Sequence, residues 1–137
     1  MNFSIAASIG GLPDFLIYLG AALILTAVYG LVYGLVTSHN ELKLIRENNA
    51  AAGVAFGGSL LGFVIPLASA ISNSVSLGDC LIWGAVALVV QVLAYFLLRL
   101  GIDRLSDRII AGEIGAGVWL GAGSLAAGIL NAACMTS

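Results

Sequence analysis

Apolar positions in this chain neither alternate nor recur every third or fourth residue; they run on unbroken. Four stretches, about Phe15 to Val36, Ala50 to Ile71, Cys80 to Leu98 and Ile114 to Met135, contain no Asp, Glu, Lys, Arg or His. Each has roughly the 20 residues that a helix rising about 1.5 Å per residue needs to cross about 30 Å of hydrocarbon. Spanning strands would show about ten residues of alternating polarity, and these runs are apolar all round. The pattern predicts an all-α membrane protein with four transmembrane helices in a single integral membrane domain, residues 1–137.

Polar residues collect between the spans. The first and second are separated by TSHNELKLIRENN and the third and fourth by RLGIDRLSDRIIAGE. Lys43, Arg46, Arg104 and Arg108 fall in these two loops, and Arg99 closes the third helix, where its stem can snorkel to the interface. Loops an even number of crossings apart face the same side, so the positive-inside rule predicts both in the cytoplasm. The termini and the Asn73 to Asp79 turn, which hold no Lys or Arg, then face outward. No basic residue precedes the first apolar run, so it lacks the n-region of a secretory signal and is expected to stay in the mature protein. Within the loops, Leu42, Leu44 and Ile45, and Leu105, Ile109 and Ile110, interleave with charge, as in short helices lying along the headgroups or docking a partner.

The chain also overlays itself. At an offset of 64, AAGVAFGGSLLGFVIPLA falls on GAGVWLGAGSLAAGILNA, with Gly20 and Gly84, Ala52 and Ala116, Gly53 and Gly117, and Gly57 and Gly121 identical. Two repeats are expected, about 12–73 and about 76–137. Each has two crossings, so they share one orientation and are related by an axis along the membrane normal.

Eighteen glycines call for an explanation, and spacing supplies one. Gly30 and Gly34, Gly53 and Gly57, Gly58 and Gly62, and Gly117 and Gly121 each form GxxxG, a groove of small residues through which helices approach closely in lipid. The grooves serve packing within one bundle or assembly of several; the smallness of the bundle tips the reading toward a homo-oligomer. Pro66, inside the second span, cannot donate to the Gly62 carbonyl, so a kink is expected, with Ser59 and Ser69 near enough to help satisfy freed carbonyls.

Few polar residues lie within the spans. Ser59, Gln91, Ser124 and Asn131 are the candidates for a polar lining or for interhelical contacts, since an amide facing lipid unpaired costs several kcal/mol. Proton relays and ion-coupled carriers place charged residues at membrane depth, and none is present here. Asp14, Asp79 and Glu113 fall at predicted helix N-terminal ends, where the helix dipole favours a carboxylate. His39, the one histidine, sits in a loop.

Composition narrows the function classes. With 61% hydrophobic and 9% charged residues the chain departs from the roughly 45–50% and about 25% of soluble domains. Five basic and seven acidic residues leave no patch that would hold nucleic acid. Cys80 and Cys134 form no CxxC and no metal-ligand spacing, so neither a metal nor a cofactor is expected, and no nucleophile and base pair points to an enzyme.

The segments IRENNAAAGVAFGGSLLGFVIPLASAISNSVS, LIWGAVALVVQVLAYFLLR and LSDRIIAGEIGAGVWLGAGSLAAGILNAACM together resemble the YjfL-like bacterial inner-membrane proteins, the family of domain of unknown function 350. The resemblance covers almost the whole chain. It implies a bacterial inner-membrane location, paired two-helix repeats and an association with envelope-stress systems, and it carries no catalytic residue. Asn48, Asn49, Pro66, Ser69, Asn131 and Cys134 stand in the segments that carry it. Cys80 and Cys134 both fall near the outer face, where an oxidising periplasm permits a disulfide.

Two functions compete at this level. One is a homo-oligomer forming a small pore or cavity. The other is a scaffolding subunit of an envelope-stress system whose basic loops bind a cytoplasmic or membrane partner.

Overall fold

The computed structural model describes residues 9–37 and 40–135, so His39 lies outside the described residues. Among the described residues the helices are, in order, α1 (Leu12–Val36), α2 (Glu41–Arg46), α3 (Ala50–Asn73), α4 (Leu77–Gly101), α5 (Leu105–Ile110) and α6 (Ile114–Met135). Of these, α1, α3, α4 and α6 are long and apolar enough to cross a membrane. Their bounds exceed the apolar runs where local chemistry extends a helix. Ser76 caps α4 by accepting from the Asp79 N–H at 3.1 Å, which adds a turn ahead of Cys80. Pro13 opens α1 and places Asp14 in its first turn. Glu113 stands just before Ile114 and accepts from Ala116 and Gly117 through its backbone carbonyl.

The centre of the bundle is the parallel pair α3 and α6. A Cβ added to Gly117 would stand 2.7 Å from the Ala51 Cα, and one on Gly121 would stand 2.5 Å from the Val54 carbonyl oxygen. One on Gly58 would overlap the Gly121 backbone, and one on Gly62 that of Ser124. Backbone meets backbone along this seam, and only glycine permits it. Two of the four GxxxG pairs are therefore spent inside the bundle. The other two are not: nothing lies within 4 Å of a Cβ on Gly53 or Gly57, and a Cβ on Gly30 or Gly34 would meet only side-chain ends, Phe56 at 3.9 Å and Glu41 at 3.6 Å, beside a groove both glycines line.

Helix α4 packs on both central helices, and α1 packs on α3 and α4. Leu25 of α1 fills the notch at Gly84, where a Cβ would come within 2.8 Å of it. Otherwise α1 is peripheral, with 6% of its apolar window buried against 39% in α3. α3 continues through Pro66, which is buried.

The two elbows leading into α3 and α6 have the same construction. At the first, Asn48 is left-handed (φ 65°), its N–H donates to the Ile45 carbonyl at 3.0 Å, and the Asn49 N–H donates to that of Leu44 at 2.8 Å. At the second, Gly112 is left-handed (φ 82°), its N–H donates to Ile109 at 2.9 Å, and that of Glu113 donates to Arg108 at 3.0 Å. Both are Schellman terminations, which satisfy the last carbonyls of a short helix and turn the chain sharply. The Asn49 side chain joins the two elbows: Oδ1 caps α3 by accepting from Ala52 N–H, and Nδ2 donates to the carbonyls of Ile109 and Ile110 at 2.9 and 3.2 Å. Accordingly α5 does not lie loosely along the bundle. It buries Leu105 and Ile109, while α2 turns Leu42 and Ile45 outward and buries Glu41 instead.

Candidate functional site

The chemistry inside the bundle comes from residues one helical turn apart. On α1, Tyr29, Tyr33 and Thr37 lie at successive fourth positions and so share one face. Gln91 and Tyr95 do the same on α4. Ser59 of α3 and Ser124 of α6 complete a cluster in which Tyr29, Tyr33, Ser59, Gln91, Tyr95 and Ser124 are all at most 2% exposed.

Some of its polar atoms find partners. Ser59 Oγ donates to Ser124 Oγ at 3.2 Å, and Gln91 Nε2 donates to the Ser124 carbonyl at 2.9 Å, so three helices are tied at one level. Rings fill the remaining space. Tyr29 stacks on Phe63 with centroids 4.7 Å apart, and Tyr33 meets Tyr95 edge-on at 6.0 Å.

Other polar atoms find none. Tyr33 Oη, Tyr95 Oη and Gln91 Oε1 are buried without a hydrogen-bond partner. Each such orphan costs about 1–3 kcal/mol if it stays dry. Among the described residues, no group of three His, Cys, Asp or Glu side chains comes together that would hold a metal.

A groove of about 930 Å³ runs along the outside of the bundle beside this cluster. Its apolar wall includes Ala27, Gly30, Leu31, Gly34 and Phe56, and its polar end is Thr37, Asn40 and Glu41. Thr37 and Glu41 are both 6% exposed, and the Thr37 hydroxyl donates to a Glu41 carboxylate oxygen.

Of the residues singled out in the sequence, Ser59, Gln91 and Ser124 come together. Asn131 lies two turns further along α6, with Nδ2 buried and unpartnered. Asn48 and Asn49 build the first elbow, and Ser69 accepts from Asn73 near the far end of α3 through its carbonyl. Cys80 is buried, Cys134 is exposed, and both are free thiols. Lys43, Arg46, Arg104 and Arg108 are exposed, and Arg104 Nε pairs with Asp107 at 3.3 Å. Sequence reasoning missed the three tyrosines, Thr37 and Glu41. The signal that would have found them is the period-four spacing of hydroxyl-bearing residues on α1.

Comparisons with known proteins agree on one family. The family model described as Domain of Unknown Function (DUF350) matches residues 7–135. The UPF0719 inner membrane protein YjfL of Escherichia coli (strain K12) is 46% identical over 119 residues, which cover 87% of this chain and 89% of that protein. The UPF0719 transmembrane protein YshE of Bacillus subtilis (strain 168) is 28% identical over 82 residues, 60% of this chain and 61% of that protein. No solved structure matches.

Proposed function

The chain belongs to the family of Domain of Unknown Function 350, and on that premise we propose that it is a multi-pass protein of the bacterial inner membrane. In this reading it is a non-enzymatic subunit of a homo-oligomer with a small polar cavity inside each protomer. The observation that carries the assembly is the state of α1. Its GxxxG groove at Gly30 and Gly34 lies open along an apolar wall, whereas the grooves of Gly58, Gly62, Gly117 and Gly121 are already filled. A second copy presents the same small residues, and a two-fold contact at Gly30 and Gly34 lets two α1 backbones approach closely. In this reading the polar lining belongs to the protomer and not to the seam between copies, because Ser59, Gln91 and Ser124 are buried and hydrogen-bonded within one bundle.

Two further features belong to this reading. Both elbows face the cytoplasm and both termini face outward, as the basic residues at the elbows favour. The two halves arose by duplication. In support, α2 and α5, and likewise α3 and α6, begin 64 residues apart, and the elbow hydrogen bonds correspond at the same offset.

The test is the mass of the protein in nanodiscs, taken by light scattering for the native chain and for Gly34→Leu. A multimer that falls to a protomer of unchanged helicity supports assembly through α1. A native protein already of protomer mass removes it. The rigid docking of α5 favours a second reading, in which the elbows are a platform for a cytoplasmic or membrane partner. Co-purification lost on neutralising Arg104 and Arg108, with the oligomer intact, would carry that reading instead.

A further inference from the structure

We propose that the polar cluster at the core of the bundle is a water-binding site, in which an ordered water bridges Tyr33 Oη, Tyr95 Oη and Gln91 Oε1. This rests on the reading of a polar cavity inside each protomer and names its occupant.

The argument begins from the orphans. Two phenols and one amide oxygen from α1 and α4 are each buried without a hydrogen-bond partner, on residues at most 2% exposed, and the Tyr33 and Tyr95 rings meet with centroids 6.0 Å apart. Their donor and acceptor balance matches water. Each phenol has a proton to donate and the Gln91 oxygen only accepts. A single water can accept from both phenols and donate to the amide, within the two to four bonds that buried waters make.

A metal cation fits the site less well. The cluster itself contains no carboxylate, and Gln91 Nε2, Tyr33 and Tyr95 add protons where a cation needs oxygen lone pairs. An apolar occupant would leave all three orphans unmet. Beyond the cluster, the same face of α1 leads to Thr37 and then Glu41. Thr37 follows Tyr33 by one turn, and its hydroxyl lies 2.9 Å from the Tyr33 carbonyl oxygen. Thr37 and Glu41 both line the groove that opens to the outside.

Radiolytic hydroxyl-radical footprinting of the protein in nanodiscs tests this, because radicals generated from a bound water oxidise the side chains beside it even when bulk solvent is excluded. Phe63, an aromatic residue with no exposure that stacks on Tyr29, is the internal control. Tyr33 and Tyr95 are expected to be oxidised several-fold faster than Phe63, and Gln91→Leu is expected to bring them down toward the Phe63 rate while leaving Tyr18 unchanged. Tyr95→Phe serves as a second variant of minimal volume change, expected to slow oxidation of Tyr33. Native Tyr33 and Tyr95 oxidised no faster than Phe63 would overturn the proposal, as would rates unmoved by both variants. Running the same measurement on Gly34→Leu separates the two readings. Retained labelling in a protomer keeps the water site whatever becomes of the oligomer, and a dry core in an intact oligomer removes the water site alone.

Discussion

Gly128 of α6 lies against the backbone carbonyl of Gly62 in α3, with no room between them for a side chain. That carbonyl is the one Pro66 leaves without its helical donor, since proline has no N–H to give four residues on. The close approach brings the Gly128 Cα–H to an oxygen that would otherwise be unmet in the core, a weak bond available only where backbones touch. Proline in one helix and glycine in the other are thus two halves of one contact.

Gly128→Leu is therefore expected to cost at or beyond the upper end of the about 1–3 kcal/mol typical of overpacking, because the atom in its way is backbone and cannot swing aside. Gly57→Ala should stay within about 1 kcal/mol of the native protein, since the added methyl meets nothing within 4 Å. Unfolding in mixed micelles of increasing denaturing detergent reads both. Similar losses for the two variants would mean that the seam between α3 and α6 is not where the structure puts it.

Asn49 has two duties that substitution can separate. Asn49→Ala removes the cap, worth about 0.5–2 kcal/mol, together with both bonds to α5. Asn49→Asp keeps an acceptor for Ala52 and loses only the donors. Helix stability should fall for Ala and largely survive for Asp, while tryptic cleavage at Arg104 and Arg108 should quicken in both. Cleavage unchanged in the Asp variant would show that the side-chain bonds do not hold α5 in place.

Gln91→Leu removes one interhelical hydrogen bond, and such bonds in membrane bundles average about 0.6 and reach about 1.7 kcal/mol. A loss of about 1 kcal/mol is expected in the same unfolding assay. Gln91→Glu should cost about 3–5 kcal/mol or drive the carboxyl to its neutral form, because no cation lies in the cluster to pair it. A Glu variant as stable as the Leu variant at neutral pH would show that the cluster reaches bulk water freely.

How much of this was legible in the sequence depended on whether a signal names its partner. Unbroken apolar runs fix four spans because bilayer thickness fixes their length, and the turn that α4 gains ahead of its apolar run traces to Ser76, a capping residue outside that run. GxxxG marks a groove and says nothing of what fills it. Gly58 and Gly62 therefore read the same as Gly30 and Gly34, although the first pair is packed and the second open. Gln91 stood out because an amide is costly in hydrocarbon wherever it points. Tyr29, Tyr33 and Tyr95 did not, because a phenol is apolar enough to pass for core, and only three-dimensional packing gathered their hydroxyls beside Gln91. Asn49 drew notice by resemblance, while its bonds to Ile109 and Ile110, sixty residues away, needed the fold.

The two native thiols report the orientation without any substitution. Cys134 is exposed one residue before the end of α6, and Cys80 is 1% exposed in the first turn of α4. With the basic elbows in the cytoplasm, both lie toward the outer face, and only Cys134 is reachable there. A membrane-impermeant maleimide added to spheroplasts should label the protein once, at Cys134. Cys80 should react only after unfolding in detergent, since a buried thiol does not meet the reagent. Labelling that appears only in inverted vesicles would place the termini inside and reverse the proposed topology, and labelling of both thiols in spheroplasts would show that the outer end of α4 is not packed as described.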